Sequence, residues 1–83
     1  MKLQVLFFSL LRDIVGQERL DLEISSPEAP TVADLLDRLY HDHPKLRDWD
    51  QSLLIAADLD YVERDAALQD GQEIAIMPPV QGG

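Results

Sequence analysis

One long amphipathic helical pattern, with strand patterns before and after it, limits this chain to a small set of folds. Thr31 has the properties of a helix N-cap, and Asp34 is placed as the acid of a capping box. Apolar residues then recur at helical spacing, namely Val32, Leu35, Leu36, Leu39 and Tyr40. Pro44 disfavours helical backbone at His43 and therefore limits the helix. Because the apolar stripe of a single helix must pack against another element, the flanking strands are expected to form a sheet beneath it.

The first part of the chain has two strand patterns separated by a short helix. Residues 3–8 form a compact apolar run, which predicts a central strand covered on both faces. Ser9 is expected to cap a helix over residues 10–15, and Gly16 suits the left-handed position after a helix end. Residues 19–24 alternate strictly between charged and apolar side chains. That alternation predicts a half-buried strand antiparallel to the first.

Further short strands are predicted after the main helix. Residues 53–57 have strand character, residues 58–60 form a turn, and residues 61 and 62 extend into a short strand. An Asp-Gly turn signal at residues 70 and 71 precedes a last strand at residues 74–77.

This order of elements predicts an α+β domain of the ubiquitin-like β-grasp type. We expect a mixed sheet of four to five strands, with the first strand between the second and the last. One main helix packs across the sheet, and a short helix follows the first strand. The domain is expected to span residues 1–77, and residues 78–83 to form a flexible C-terminal tail.

Charge and composition exclude several classes of function. Seven Lys and Arg residues against sixteen Asp and Glu residues give a formal net charge of −9. Because nucleic-acid binders need clustered basic residues, no nucleic-acid or membrane partner is expected, and protein partners with basic docking faces are favoured. The absence of cysteine excludes disulfides, thiolate metal sites and a cysteine nucleophile. Gln4 and Ser9 interrupt the apolar N-terminal stretch, so we expect a cytoplasmic protein without a signal peptide.

The polar clusters within the chain do not form a recognisable catalytic or metal site. His41 and His43 are two positions apart and point away from each other on a helix. Asp58 and Asp60 lack the spacing of a calcium loop and are better explained by turn formation. No glycine-rich phosphate loop is present. We therefore expect no metal, no bound cofactor and no catalytic activity from this chain alone.

The C-terminal segment is the most informative part of the sequence: Pro78, Pro79, Val80, Gln81, Gly82 and Gly83. It is uncharged in a chain where charge is frequent. Its two prolines favour an extended conformation, and its two glycines allow the backbone to enter a narrow channel. A carboxylate becomes reactive only after activation, so a partner is expected to perform the chemistry on Gly83. The alternative is a frayed terminus without function.

The sequence resembles the small, sulfur-carrying subunit of molybdopterin synthase. The resemblance rests on residues 5–8 (VLFF), 11–16 (LRDIVG) and 68–83 (LQDGQEIAIMPPVQGG). It implies that an adenylyltransferase related to ubiquitin-activating enzymes uses ATP to adenylate Gly83, and that a sulfur donor protein converts the adenylate to a thiocarboxylate (1-thioglycine). It also implies docking on the large catalytic subunit, usually in a heterotetramer, with the tail (Pro78, Pro79, Val80, Gln81 and Gly82) in that subunit's active site. There sulfur passes to precursor Z, cyclic pyranopterin monophosphate.

Phe7 and Met77 are the candidate docking residues, because they are apolar and lie on the two terminal strands. A folded core equally needs apolar residues there, and the sequence does not assign the inward and outward faces of the first strand. Asp58 stands where many family members have Asn, and Gln72 and Met77 replace more usual Asp and aromatic residues. Related alternatives are a sulfur carrier for thiamine synthesis or tRNA thiolation. A modifier conjugated to lysine through Gly83, or a plain interaction module with a chemically idle tail, belongs to a different class.

Overall fold

A five-stranded mixed sheet with one long helix forms the framework of the chain, and the computed structural model describes residues 1–25 and 29–79. Its elements in chain order are β1 (Lys2–Phe7), α1 (Leu10–Val15), β2 (Arg19–Glu23), α2 (Val32–Asp42), a 3₁₀ helix (Pro44–Ser52), β3 (Leu54–Ala57), β4 (Asp60–Tyr61) and β5 (Glu73–Met77). The strand order is β2-β1-β5-β3-β4. The predicted β-grasp fold is confirmed, including the place of β1 between β2 and β5.

The strand directions follow from the connections. β1 is antiparallel to β2 and parallel to β5, and β5 is antiparallel to β3. The parallel pair needs a long crossover, and α2 lies within the segment that supplies it. β5 ends at Met77, where the sequence places the end of the domain.

The start of α2 agrees with the predicted capping box. The Thr31 backbone N–H donates to Asp34 Oδ2 at 2.8 Å, and the Asp34 N–H donates to Thr31 Oγ1 at 3.4 Å. The apolar stripe is entirely buried, through Val32, Leu35, Leu36, Leu39 and Tyr40. Helix α2 therefore begins where its first free N–H groups find acceptors, and it is held by packing against the strands.

Helix α1 spans the predicted residues, but its cap is different. Gly16 has the expected left-handed backbone, with φ of 89°. Ser9, however, makes no side-chain cap. Its φ is 52°, and the Arg12 N–H bonds to the Ser9 carbonyl oxygen at 3.1 Å. The prediction of a Ser9 side-chain cap was wrong because a tight backbone turn satisfies the helix N-terminus instead.

Strand β1 is covered on one face, not on both as the apolar run predicts. Leu3, Val5 and Phe7 are buried in the core, whereas Lys2 and Gln4 are exposed. The buried residues of both α-helices belong to the same cluster as Leu3, Val5 and Phe7. Since the helices lie on one side, no helix or strand among residues 1–25 and 29–79 covers the other side of the sheet.

The turn before β5 is hydrogen-bonded to the start of β1. Asp70 Oδ1 accepts a hydrogen bond from the Lys2 N–H at 2.6 Å, and the Gly71 N–H donates to the Lys2 carbonyl oxygen at 2.7 Å. Gly71 has φ of 85°, a conformation that favours glycine.

No helix within residues 1–25 and 29–79 has the length and apolar character needed to cross a membrane.

Candidate functional site

Strand β5 directs the C-terminal segment out of the middle of the sheet. Met77 is the last ladder residue and pairs with Leu54 of β3. Sheet pairing stops here because Pro78 and Pro79 have no N–H to donate. Both prolines are half-buried. Val80, Gln81, Gly82 and Gly83 lie outside the described residues, so the roles predicted for them stay predictions.

The uncovered side of the sheet is apolar around the point where the tail departs. Partners in a strand register share a face, and the register places Leu54 beside Met77, and Leu6 beside Ala75. Phe8 is the first residue after β1. It continues the alternation of that strand onto the same face as Leu6 and is 45% exposed. We call this surface the open face; its apolar residues that are half-buried or exposed are Leu6, Phe8, Leu54, Tyr61, Ala75 and Met77.

The structure corrects one of the two predicted docking residues. Phe7 is 2% exposed and lies in the core, so it is unable to contact a partner. Phe8 is the exposed aromatic residue. The sequence contained the signal: Lys2 and Gln4 share the phase of Phe8 in the two-residue repeat, and polar residues mark the solvent side of a strand. Met77 is half-buried on the open face, and its docking role stays a prediction.

The other half of the uncovered side, along β2, is charged. Arg19 donates to the Gln4 side-chain oxygen at 2.6 Å. An open groove of about 430 Å³ lies here, lined in part by Lys2, Asp21 and Glu23. Lys2 pairs with Glu23 at the start of β1, whereas the tail departs beside the end of β1. This groove therefore lies at the opposite end of β1 from the point where β5 ends.

A polar cluster on the helical side connects three segments of the chain. The Tyr40 hydroxyl donates to Asp50 Oδ1 at 2.5 Å, and Arg64 Nη1 donates to the same oxygen at 2.7 Å. Arg64 Nη2 also donates to the Asp50 carbonyl oxygen. These contacts join α2, the 3₁₀ helix and the loop after β4. No local pattern predicts these contacts, because the three residues are far apart along the chain.

The cluster perturbs the ionisation of its members. Burial, followed by the hydrogen bond to Asp50, raises the pKa of Tyr40 to about 12. The hydrogen bonds from Tyr40 and then from Arg64 lower the pKa of the Asp50 carboxyl. Tyr40 therefore stays protonated and Asp50 stays ionised at neutral pH. The cluster stabilises the fold and has no proton to exchange there. Among residues 1–25 and 29–79, no group of three or more His, Asp or Glu residues is placed to hold a metal ion.

Comparison with known proteins identifies the family of this chain. The ThiS family profile matches residues 5–83. The molybdopterin synthase sulfur carrier subunit of Escherichia coli is 35% identical over 83 residues, which cover 98% of this chain and 99% of that protein.

Solved structures share the fold over nearly the whole chain. A putative molybdopterin converting factor subunit 1 from Pyrococcus furiosus is 30% identical with a TM-score of 0.84, covering 96% of this chain and 99% of that one. SAMP1 from Haloferax volcanii is 25% identical with a TM-score of 0.83 and full coverage of both chains.

The fold also occurs in a solved protein–protein complex. That structure contains subunits 1 and 2 of the molybdopterin-converting factor from Helicobacter pylori. The matched chain is 24% identical to this one, with a TM-score of 0.67 and full coverage of both chains. The fold, the strand that leads into a Gly-Gly ending and the matched profile agree: this chain belongs to the ThiS family and is similar to molybdopterin synthase sulfur carrier subunits.

Proposed function

We propose that this chain is the sulfur carrier of a molybdopterin synthase, with Gly83 as the residue that carries the sulfur. The observation that supports this most strongly is the Pro78-Pro79-Val80-Gln81-Gly82-Gly83 ending, placed directly after the central strand β5. Membership of the ThiS family and the similarity to sulfur carrier subunits support the same assignment.

The chemistry takes place on a carboxylate that partner enzymes activate. The Gly83 carboxylate attacks the α-phosphorus of ATP in an adenylyltransferase related to ubiquitin-activating enzymes, and pyrophosphate leaves. Sulfur delivered at the oxidation level of sulfide by a donor protein then attacks the acyl carbon, displaces AMP and leaves a thiocarboxylate. In the large synthase subunit this sulfur attacks precursor Z, and hydrolysis of the resulting thioester leaves the sulfur on the pterin and returns the Gly83 carboxylate. ATP is a substrate of the activating enzyme, and the covalent 1-thioglycine is the cargo of the carrier.

The carrier's contribution to these steps is positional. Gly82 and Gly83 have no Cβ, so the reactive end passes through a narrow channel and approaches catalytic groups closely. Pro78 and Pro79 restrict the backbone next to the domain, which reduces the conformational freedom lost when the segment enters a partner. Holding the sulfur at a fixed place beside its acceptor lowers the entropic part of the barrier.

The open face is the docking surface that this function requires. Met77 precedes the tail directly and pairs with Leu54 on one side, while on the other side the Phe8 N–H donates to the Ile76 carbonyl oxygen at 3.3 Å. A partner that receives the tail must approach this end of the sheet. We propose that the large catalytic subunit covers these residues with an apolar surface and surrounds them with basic side chains, which complement the net charge of −9.

Intact mass spectrometry tests the assignment. Incubation with the activating enzyme, ATP and a sulfur source is expected to raise the mass by about 16 Da as one oxygen is replaced by sulfur. The chain lacking Gly83 is the matched control and should not change. Addition of precursor Z and the large subunit should return the mass to its starting value.

Other outcomes identify the alternatives. Conjugates to lysine side chains of other proteins would indicate a modifier, the class named in the small archaeal modifier protein 1 of Haloferax volcanii, which shares the fold. Sulfur transfer to a thiamine precursor or to tRNA, but not to precursor Z, would indicate a different sulfur pathway. An unchanged mass with a competent activating enzyme would contradict the proposal altogether.

A further inference from the structure

The hairpin between β3 and β4 presents an apolar side chain at its tip. Leu59 is 91% exposed, more than the other two exposed large apolar residues of the described chain, Phe8 and Tyr61. Its exposure costs solvation free energy without any contribution to the core. An isolated exposed leucine needs no explanation, but the backbone at this position does.

The backbone of the turn is unfavourable for leucine. Asp58 has φ of 49° and Leu59 has φ of 78°. The flanking residues Ala57 and Asp60 are paired, so Asp58 and Leu59 form a two-residue loop with the φ signs of a type I′ turn. The second position of this turn normally holds glycine, because a side chain at positive φ is strained. Both folding and solubility therefore favour a different residue here.

Two hydrogen bonds fix the turn against the neighbouring strand. The Asp58 N–H donates to the Glu73 carbonyl oxygen at 2.9 Å, and the Glu73 N–H donates to Asp58 Oδ1 at 3.1 Å. Leu59 thus projects from a backbone that is attached to the start of β5. A side chain presented in this way loses little conformational freedom when a partner binds it.

The surroundings of Leu59 define the chemistry of that partner. Asp58 and Asp60 flank it on both sides, so a complementary surface has an apolar pocket bordered by Lys or Arg. Tyr61 lies two residues on, is 72% exposed, and pairs with Ala56 of β3. The hairpin that carries Leu59 at its tip therefore borders the open face at Tyr61.

We propose that Leu59 is an anchor residue that inserts into such a pocket on the large synthase subunit. This inference rests on the proposed function, because the protein that covers the open face is the one that reaches the hairpin. β5 runs from Glu73, beside the hairpin, to Met77, beside the tail, a distance of roughly 13 Å. The carrier is then held at two separated points. A second point prevents rotation about the tail and so fixes the orientation in which Gly83 is delivered.

The decisive variant is Leu59→Asn. Asparagine tolerates left-handed backbone, so the thermal midpoint should stay equal or rise, whereas the apolar anchor is lost. We expect binding to the purified large subunit, measured by isothermal titration calorimetry, to weaken about tenfold, as for a central interface residue. Asp60→Asn removes one flanking charge and should reduce the salt dependence of binding. Asp37→Asn on α2, an equal change of charge on the helical side, is the matched control and should have no effect.

Each contrary result has a distinct meaning. Unchanged binding of Leu59→Asn, when the wild-type chain binds, would overturn the anchor and leave the proposed function intact. A loss confined to the activating enzyme would overturn it in favour of that partner. A wild-type dimer in light scattering that Leu59→Asn abolishes would assign the contact to a second copy. Failure of the wild-type chain to bind the large subunit would overturn both proposals.

Discussion

The two faces of the sheet are built from alternate residues of the same strands, yet they have opposite tasks. On β1, Val5 and Phe7 face the helices and are buried, whereas Leu6 and Phe8 lie on the open face. On β5, Ile74 and Ile76 are buried and Met77 is half-buried. One face supplies the packing that stabilises the domain, and the other, which no described helix or strand covers, is the docking surface that we propose. A shift of one residue along a strand therefore changes a side chain from a structural to a functional role.

The largest functional effect is expected at the tail, residues 78–83. Deleting Gly83 should abolish sulfur transfer, because the reactive carboxylate no longer reaches the partner's catalytic groups. Gly83→Ala should weaken transfer less severely, since the added methyl group crowds a narrow channel. Both variants should melt like the wild-type chain in circular dichroism. A fall of more than a few degrees would show that the tail is packed on its own domain.

The adjacent phenylalanines separate the two faces most sharply. Phe7→Ala removes a fully buried ring and should lower the free energy of unfolding by about 3–5 kcal/mol, measured by urea denaturation. Phe8→Ala should lower it by less than about 1 kcal/mol, yet weaken binding to the large subunit. Equal losses of stability in the two variants would contradict the division between the faces.

Substitution of Met77 tests whether the open face is the surface that binds the large subunit. Met77→Ser should weaken binding to the large subunit about tenfold, because a half-buried apolar contact beside the tail is lost. Gln4→Ala, an exposed position on the charged half of the same side of the sheet, is the control and should bind normally. Normal binding by Met77→Ser would place the docking surface elsewhere.

The smallest effect is expected in the polar cluster on the helical side. The pKa of Tyr40 rises from 10.0 to about 12, so its stabilising effect is present in full below pH 10 and is lost as the pH rises through about 12. The stability difference between wild type and Tyr40→Phe should therefore shrink over that interval in urea titrations. A difference independent of pH would contradict the assigned hydrogen bond. The contribution of Asp50, whose pKa is lowered, is instead lost as the pH falls through that lowered value.

Much of the fold could be predicted because local signals and tertiary packing agree. The Thr31 and Asp34 capping box and the apolar stripe of α2 specify one helix, and the alternation of residues 19–24 specifies the half-buried strand found as β2. The outcome at Ser9 was less predictable, since a serine there caps either through its side chain or by a turn of its backbone. Local sequence does not distinguish these two ways of satisfying the same N–H group.

The candidate site was harder to predict than the fold. An apolar run such as residues 3–8 fits a strand in either phase, and Phe7 was assigned to the partner although Lys2 and Gln4 mark the opposite phase as solvent-facing. Leu59 carries no recognisable pattern, because its importance depends on a left-handed backbone that local preferences would assign to glycine. The Tyr40, Asp50 and Arg64 contacts depend on how distant segments meet.

The central claim is that the folded domain presents Gly83 to enzymes that load it with sulfur. The most direct measurement is the intact mass of the chain purified from cells that make molybdopterin, beside the chain lacking Gly83. We expect a fraction of the full chain to be heavier by about 16 Da, and this fraction to disappear when the activating enzyme is deleted. A single unmodified mass in cells with an active pathway, unchanged by that deletion, would contradict the account.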